Sequence, residues 1–446
     1  MHDKAIGAAA LKALRRRRGL SLTETARTLI SIAEELGQCR TSLPTVAGLQ
    51  RSVARWESAQ PSRPDERHQL LLAHLYARTP TGRIALGVGS DFAELINALA
   101  HLGEGARQLA ELRSVLVRTA TDHGGGMLAL LSTTAQSGLA AALADPSLTD
   151  EHAVAALSAV VSDVNSQVGS LPFVRLQLML APALEVCRQL AAGPVPEPLL
   201  PHLRAVAVAA HTLAGRLAFE TRDDMASRSL YAAAAREASL LPDLWRRSVV
   251  HMSHALVTLY STQGLDAARM LVDAAVCDAR DGGSTVVRAR AHALQAEIAA
   301  RAGQERQAQA ALGLAWYDME RSHQQDPGMT PFTAAHLRGF EGICELYVGD
   351  PSAAHERFAV SADALAAPRE QVQRAIVTTD QALARIRMND PRSAAELLHR
   401  CIVSASLTGG RVPAIRLRRA RQKLRPWRHE DWVADLDDHL MDVLGS

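Results

Sequence analysis

The stretch Pro44-Thr45-Val46-Ala47-Gly48-Leu49-Gln50-Arg51-Ser52-Val53-Ala54-Arg55-Trp56-Glu57 decides how the rest of the chain is read. Val46, Leu49, Val53 and Trp56 recur at spacings of three and four, which puts them on one side of a helix turning about 100° per residue. Arg51 and Arg55 lie four apart on the other side, among the small residues Ala47, Gly48, Ala54 and Ser58. Pro44 suits the first turn, where its missing N–H costs nothing. An apolar back, a slim front and two forward arginines suit a DNA major groove. A surface helix with two solvated arginines has the same pattern.

The flanking sequence supplies more helices. Residues 4–18 form the first, with Ile6, Leu11 and Leu14 inward and Arg15-Arg16-Arg17-Arg18-Gly19 at its end. Four arginines there complement the helix dipole and are also placed to grip phosphates. Ser21 reads as an N-cap with Glu24 in the capping-box position. A second helix then runs from Leu22 to Leu36, with Leu22, Ala26, Leu29, Ile30 and Ala33 inward and Gly37 ending it. The polar connection Gln38–Leu43 leads into the quoted stretch, and Ser58–Pro64 is a helix stop. A last helix spans Asp65 to Ala77 and carries Leu70, Leu71, Leu72 and Leu75.

In this order the elements resemble the helix-turn-helix domain of the xenobiotic-response-element, or phage Cro/repressor-like, regulators. The matching residues are Leu11-Lys12-Ala13-Leu14-Arg15, Gly19-Leu20-Ser21, Thr23-Glu24-Thr25-Ala26, Ser52-Val53-Ala54-Arg55-Trp56-Glu57, Pro61-Ser62 and Leu70-Leu71. The resemblance implies that the Ser-x-x-Arg-Trp-Glu segment lies on the recognition helix with Trp56 packed inward. It places Gln50, Arg51, Ala54 and Arg55 toward double-stranded DNA. Arg15, Arg16, Arg17, Arg18, Arg40, Ser42 and Thr45 complete the candidate DNA contacts. The chain departs from the family between Ile30 and Leu43, where a longer second helix and an extra loop replace the usual short turn.

Charge supports a polyanion partner for this part alone. Residues 1–83 hold two Lys and twelve Arg against seven acidic residues, a net of +7 in a chain of net +2, which leaves −5 for the remainder. At 446 residues the chain is too long for one small core. Its 48% hydrophobic and 4% aromatic content favours alanine- and leucine-rich helices over a sandwich. No apolar run approaches the ~20 residues that span a bilayer, and no signal peptide is apparent. Cys39, Cys187, Cys277, Cys344 and Cys401 are odd in number and widely spaced, against a disulfide framework or a zinc site and in keeping with a cytoplasmic protein.

Residues 79–90 read as a Pro/Gly-rich linker, and Asp91 to Thr119 as one long helix, a domain connector, a dimer seam or simply the first helix of the body. Helices are expected near 127–143, 150–168, 172–192 and 198–218. From about residue 200 the chain repeats itself. Turns at Arg222-Asp223, Gly264, Gly303, Gly349-Asp350 and Asn389-Asp390 each precede a small-residue helix start, and the last four are spaced by 39, 46 and 40 residues. The pattern resembles tetratricopeptide-type helical hairpins, longer than the ~34-residue standard. The expected fold is therefore all-α: a helix-turn-helix domain over 1–78, a linker over 79–90, a connecting helical region over 91–198 and an α-solenoid over 199–446.

Chemistry is sparse. There is no nucleophile elbow, His-Glu-x-x-His or phosphate loop, so no enzyme, cofactor or metal is expected. His251, His254, Arg288, His292 and His336 fall on repeat helices, with His251 and His336 both 13 residues before a turn glycine. They are candidates for binding a peptide or small-molecule effector, or for ordinary half-buried polar contacts. The basic stretch Arg411–Arg428 suits DNA, an acidic partner or the wet face of a capping helix. The expected function is a DNA-binding transcriptional regulator, a homodimer with an effector-sensing repeat domain. The alternative is a non-enzymatic repeat adaptor with a degenerate helix-turn-helix.

Overall fold

Capping and apolar spacing set the helix boundaries in the computed structural model, which describes residues 4–36, 45–79, 84–121, 131–261, 264–321, 326–328 and 332–444. Among the described residues the chain is all helical, with no strand. It divides into two units, Met1–Val160 with Gln177–Glu197 and Val161–Leu176 with Pro198–Gly445.

The first unit begins with α1 (Lys4–Arg17), α2 (Leu22–Glu35), α3 (Val46–Trp56), α4 (Glu66–Ala77) and α5 (Asp91–His101). The capping box forms as read: the Ser21 hydroxyl accepts from Glu24 N at 3.1 Å and the Glu24 carboxylate accepts from Ser21 N at 2.7 Å. A cap of this kind stabilises a helix by about 1 kcal/mol. Gly19, at φ +67°, turns the chain out of α1. One apolar cluster joins Leu11, Leu14, Leu29, Leu49, Val53, Trp56, Leu70 and Leu71 with Phe92, Leu95, Leu99 and Leu116.

That cluster changes two expectations. The long helix over 91–119 is two helices, α5 and α6 (Ala106–Thr121), broken at Leu102-Gly103-Glu104-Gly105 with Gly103 at φ +98°. Phe92, Leu95 and Leu99 face inward against the same core as Leu14, so the apolar face of α5 is not free to form a dimer seam. Contacts join the two sides of the segment read as a linker: Ala85 N donates to Ala77 O at 2.8 Å, and Arg78 bridges to Ile84. Gly7 marks the closest approach of α1 to α5, where a Cβ would lie 2.7 Å from Ala98 O. The unit continues with α7 (Thr133–Ala144). α8 (Glu151–Ser166) and α9 (Phe173–Ala191) follow, and α9 runs on through Pro182.

The second unit is built of helix pairs: α10 (Leu200–Glu220) with α11 (Asp224–Ser239), α12 (Leu244–Leu259) with α13 (Gly264–Asp281), and α14 (Thr285–Arg301) with α15 (Glu305–Glu320). Then come α16 (Ala334–Val348) with α17 (Pro351–Ala364), α18 (Gln371–Arg387) with α19 (Pro391–Ser406), and α20 (Arg411–Lys423) followed by α21 (Asp431–Leu444). Each of the five turns read from the sequence falls between the two helices of one pair. Arg222, Gly264, Gly303 and Asn389 take the left-handed conformation there, at φ +69°, +74°, +75° and +60°. Gly349 does not, with φ −123°; a Cβ there would lie 2.0 Å from the Glu345 carboxylate and would push that side chain aside. The first helices touch in succession, α10 to α12, α14, α16, α18 and α20, and α20 also meets α10. No helix among the described residues is long and apolar enough to cross a membrane.

Candidate nucleic-acid interface

α3 is anchored from behind and bare in front. Leu49, Val53 and Trp56 are buried, Val46 is half-buried, and the Trp56 ring lies 5.2 Å from that of His68. Ala47, Arg51, Ala54 and Arg55 are exposed, and Gln50 is half-exposed. Arg55 reaches only Ser52 Oγ, at 3.4 Å, and Arg51 meets no polar partner among the described residues. Thr45 has a structural role, because its hydroxyl caps α3 by accepting from Gly48 N at 3.2 Å. Arg40 and Ser42 lie outside the described residues, as does Pro44.

The arginine run at the end of α1 departs from the phosphate-gripping expectation. Arg15 is buried and forms a bidentate pair with Glu57, Nε–Oε1 2.8 Å and Nη2–Oε2 2.7 Å, while Nη1 donates to Leu20 O at 2.7 Å. Those hydrogen bonds raise its pKa above the ordinary guanidinium value, against the opposing effect of burial. Arg17 pairs with Glu94 at 2.8 Å and Asp91 at 2.7 Å, and Arg18 pairs with Asp91. Arg15 is therefore a strut between α1 and α3, and Arg17 and Arg18 tie α1 to α5. Arg16 alone of the four is exposed without an acid partner among the described residues. Sequence reasoning missed Glu57, Asp91 and Glu94 as the partners because they lie 42 to 77 residues away.

Each effector candidate has a close partner within the helix pairs. Arg288 pairs with Asp318 at 2.8 Å, and His292, 4% exposed, lies 3.8 Å from the same carboxylate. Arg247, Asp278 and His251 repeat the arrangement one pair earlier, with His251 3.6 Å from Asp278. The internal counterpart of His251 is thus His292, not His336. His254 stacks on Tyr231 with ring centroids 4.6 Å apart and planes 9° apart. His336 caps α16, its Nδ1 2.9 Å from the Thr333 hydroxyl. Burial holds all four imidazoles below their ordinary pKa, which favours their neutral form. Among the described residues no group of three or more His, Cys, Asp or Glu side chains is arranged to hold a metal ion.

The basic stretch near the C-terminus is divided in the same way. Arg411 pairs with Asp224, Arg416 with Asp380 and Arg421 with Asp437, while Arg418, Arg419, Lys423, Arg425 and Arg428 are exposed. Compared with protein-family models, with curated proteins and with solved structures, the chain finds no match.

Proposed function

We propose that the chain is a sequence-specific DNA-binding transcriptional regulator. In this reading α2 and α3 are the helix-turn-helix and α3 enters the major groove. The helix pairs from α10 onward are a tetratricopeptide-type α-solenoid that senses an effector and dimerises. The observation that carries the reading is the outward face of α3: Arg51 and Arg55 exposed beside Ala47 and Ala54, on a helix held by Leu49, Val53 and Trp56. Two guanidiniums with no acid partner among the described residues, beside small residues, fit bidentate contact to guanine edges, at about 1–3 kcal/mol each. Arg16 is left for a phosphate. A ligand acts on such a protein only by favouring one arrangement of the pairs over another.

The test is a binding assay of the full chain on fragments of genomic DNA, repeated with Arg51→Ala/Arg55→Ala. The expected result is selective retention of a few fragments by the parent and loss of selectivity in the variant. Equal affinity of both proteins for every fragment would sink the assignment of α3. A second reading, a repeat adaptor whose helix-turn-helix no longer binds DNA, draws on the internal ion pairs of Arg15, Arg17 and Arg18. A stoichiometric protein partner recovered without any DNA retention would favour it.

A further inference from the structure

α20 belongs to two environments. Its apolar residues Leu417 and Ala420 pack in the cluster formed with Ala382, Leu398 and Ile402 of α18 and α19. Polar contacts also join it to the earlier pairs. Arg411 pairs with Asp224 of α11 and lies over the Phe219 ring, 4.3 Å from its centroid. Val412 N donates to the Glu220 carboxylate at 3.0 Å. Arg416 pairs with Asp380 of α18 and lies 5.2 Å from the Tyr260 ring at the end of α12. Three earlier pairs thus supply carboxylates and aromatic faces, and one helix supplies the guanidiniums. Among the described residues the seam is incompletely satisfied: the Tyr260 hydroxyl and Arg416 Nε are both buried and meet no hydrogen-bond partner there. Burial also raises the pKa of Glu220 and Asp380 above the ordinary carboxylate value, with nearby arginines acting in the opposite direction.

We propose that Glu220, Asp224 and Asp380, with the faces of Phe219 and Tyr260, form a receptor for an arginine-bearing polypeptide segment, which α20 fills within the chain until such a segment displaces it. Asp380 is a buried carboxylate paired with a guanidinium, and a buried carboxylate that loses its cation is strongly destabilising, so the competitor must bring a guanidinium of its own. Arginine suits the site because its planar fork pairs with carboxylates and stacks on aromatic rings. The proposal gives the effector a chemical class. It rests on the sensing half of the function proposed above and not on DNA binding.

The probe is a fluorescein-labelled peptide of residues 410–424, titrated by anisotropy into the full chain at low salt. Arg411→Ala/Arg416→Ala, which severs the internal clasp, is expected to bind it at least tenfold more tightly than the parent does. Adding Asp380→Asn to that variant is expected to remove the gain. Equal binding to parent and variant, or none to the variant, overturns the proposal. Hydrogen exchange on the parent decides the matter if the variant fails to fold. Amides of 411–423 are expected to exchange at least tenfold faster than those of α18, and exchange as slow as in α18 overturns the displaceable clasp. Promoter binding measured on the same proteins separates the two readings, because intact DNA binding with no peptide binding overturns this one alone.

Discussion

Replacing Glu57 by Gln tests whether Arg15 is a strut or a DNA contact. Arg15 and Glu57 are 10% and 7% exposed in their side chains and share two hydrogen bonds near 2.7–2.8 Å. The pair links the end of α1 to the residue that closes α3. Glu57→Gln leaves the guanidinium buried with no counter-charge, and breaking such a pair costs about 3 kcal/mol or more. At 1.4 kcal/mol per tenfold, that is roughly a hundredfold rise in local opening. Hydrogen exchange on the full chain reads it directly, as loss of protection over 46–56. Arg15→Met/Glu57→Met removes both charges and keeps much of the volume, so it is expected to regain most of the loss. Its DNA affinity should match the parent within about twofold, with an unchanged salt slope. A change of less than about threefold in Glu57→Gln, or a double variant as unprotected as the single, would refute the strut. A salt slope reduced by about one in the double variant would return Arg15 to the phosphate contacts.

Gly7→Val forces α1 away from Ala98 O and Leu102 and is expected to lower the stability of the first unit by about 2 kcal/mol or more, seen as faster proteolysis within 79–90. His74 is 1% exposed, and burial, aided by the charge of Arg78, pushes its pKa down to about 4. The neutral form is therefore favoured by folding: its contribution is complete above the unfolded value near 6.5 and is lost as pH falls from there toward 4. His74→Leu should flatten the thermal stability of the first unit over that window, and an unchanged slope would show that other groups set it. Arg222→Gly relieves a side chain held at φ +69° and should raise the unfolding temperature of the second unit, by about 1 kcal/mol in stability. Asn389→Gly should gain less, because Asn tolerates φ +60° better than Arg does.

Local signals were legible in the chain. The capping box at Ser21 and Glu24, the inward set Leu49, Val53 and Trp56, and the turns at 264, 303, 349 and 389 depend on residues within one helix turn or one hairpin, and the structure bears them out. Contacts across long separations were not legible. The break at Gly103-Glu104-Gly105 lies inside a leucine periodicity that runs on through Leu116, so the pattern alone gives one helix. Glu104 is buried and takes a hydrogen bond from Gln69 at 2.6 Å, a reason for the turn that only the packed structure contains. His251 and His336 share a distance to a turn glycine, yet α12 ends at Leu259 and α16 at Val348, so the same count gives different places in the pair.

The arginines carry the same lesson into function. Polyanion contact was one reading of both basic runs, because charge was counted along the chain. In the folded protein Arg15, Arg17, Arg18, Arg63 and Arg78 of the first unit all lie beside carboxylates, and Arg67 is buried. Among the described residues of 1–83, the exposed arginines without an ion-pair partner are Arg16, Arg27, Arg51 and Arg55. With Lys4 and Lys12 they set the reach of the electrostatic footprint. Four to six phosphates neutralised per chain correspond to a slope of log affinity against log salt near −4 to −5, since each phosphate contributes about −0.9. A slope near −10 per chain, which twelve arginines free to act would permit, requires the internal pairs to open on DNA. Measuring that slope therefore decides whether DNA meets the first unit as folded here or rearranges its ion pairs.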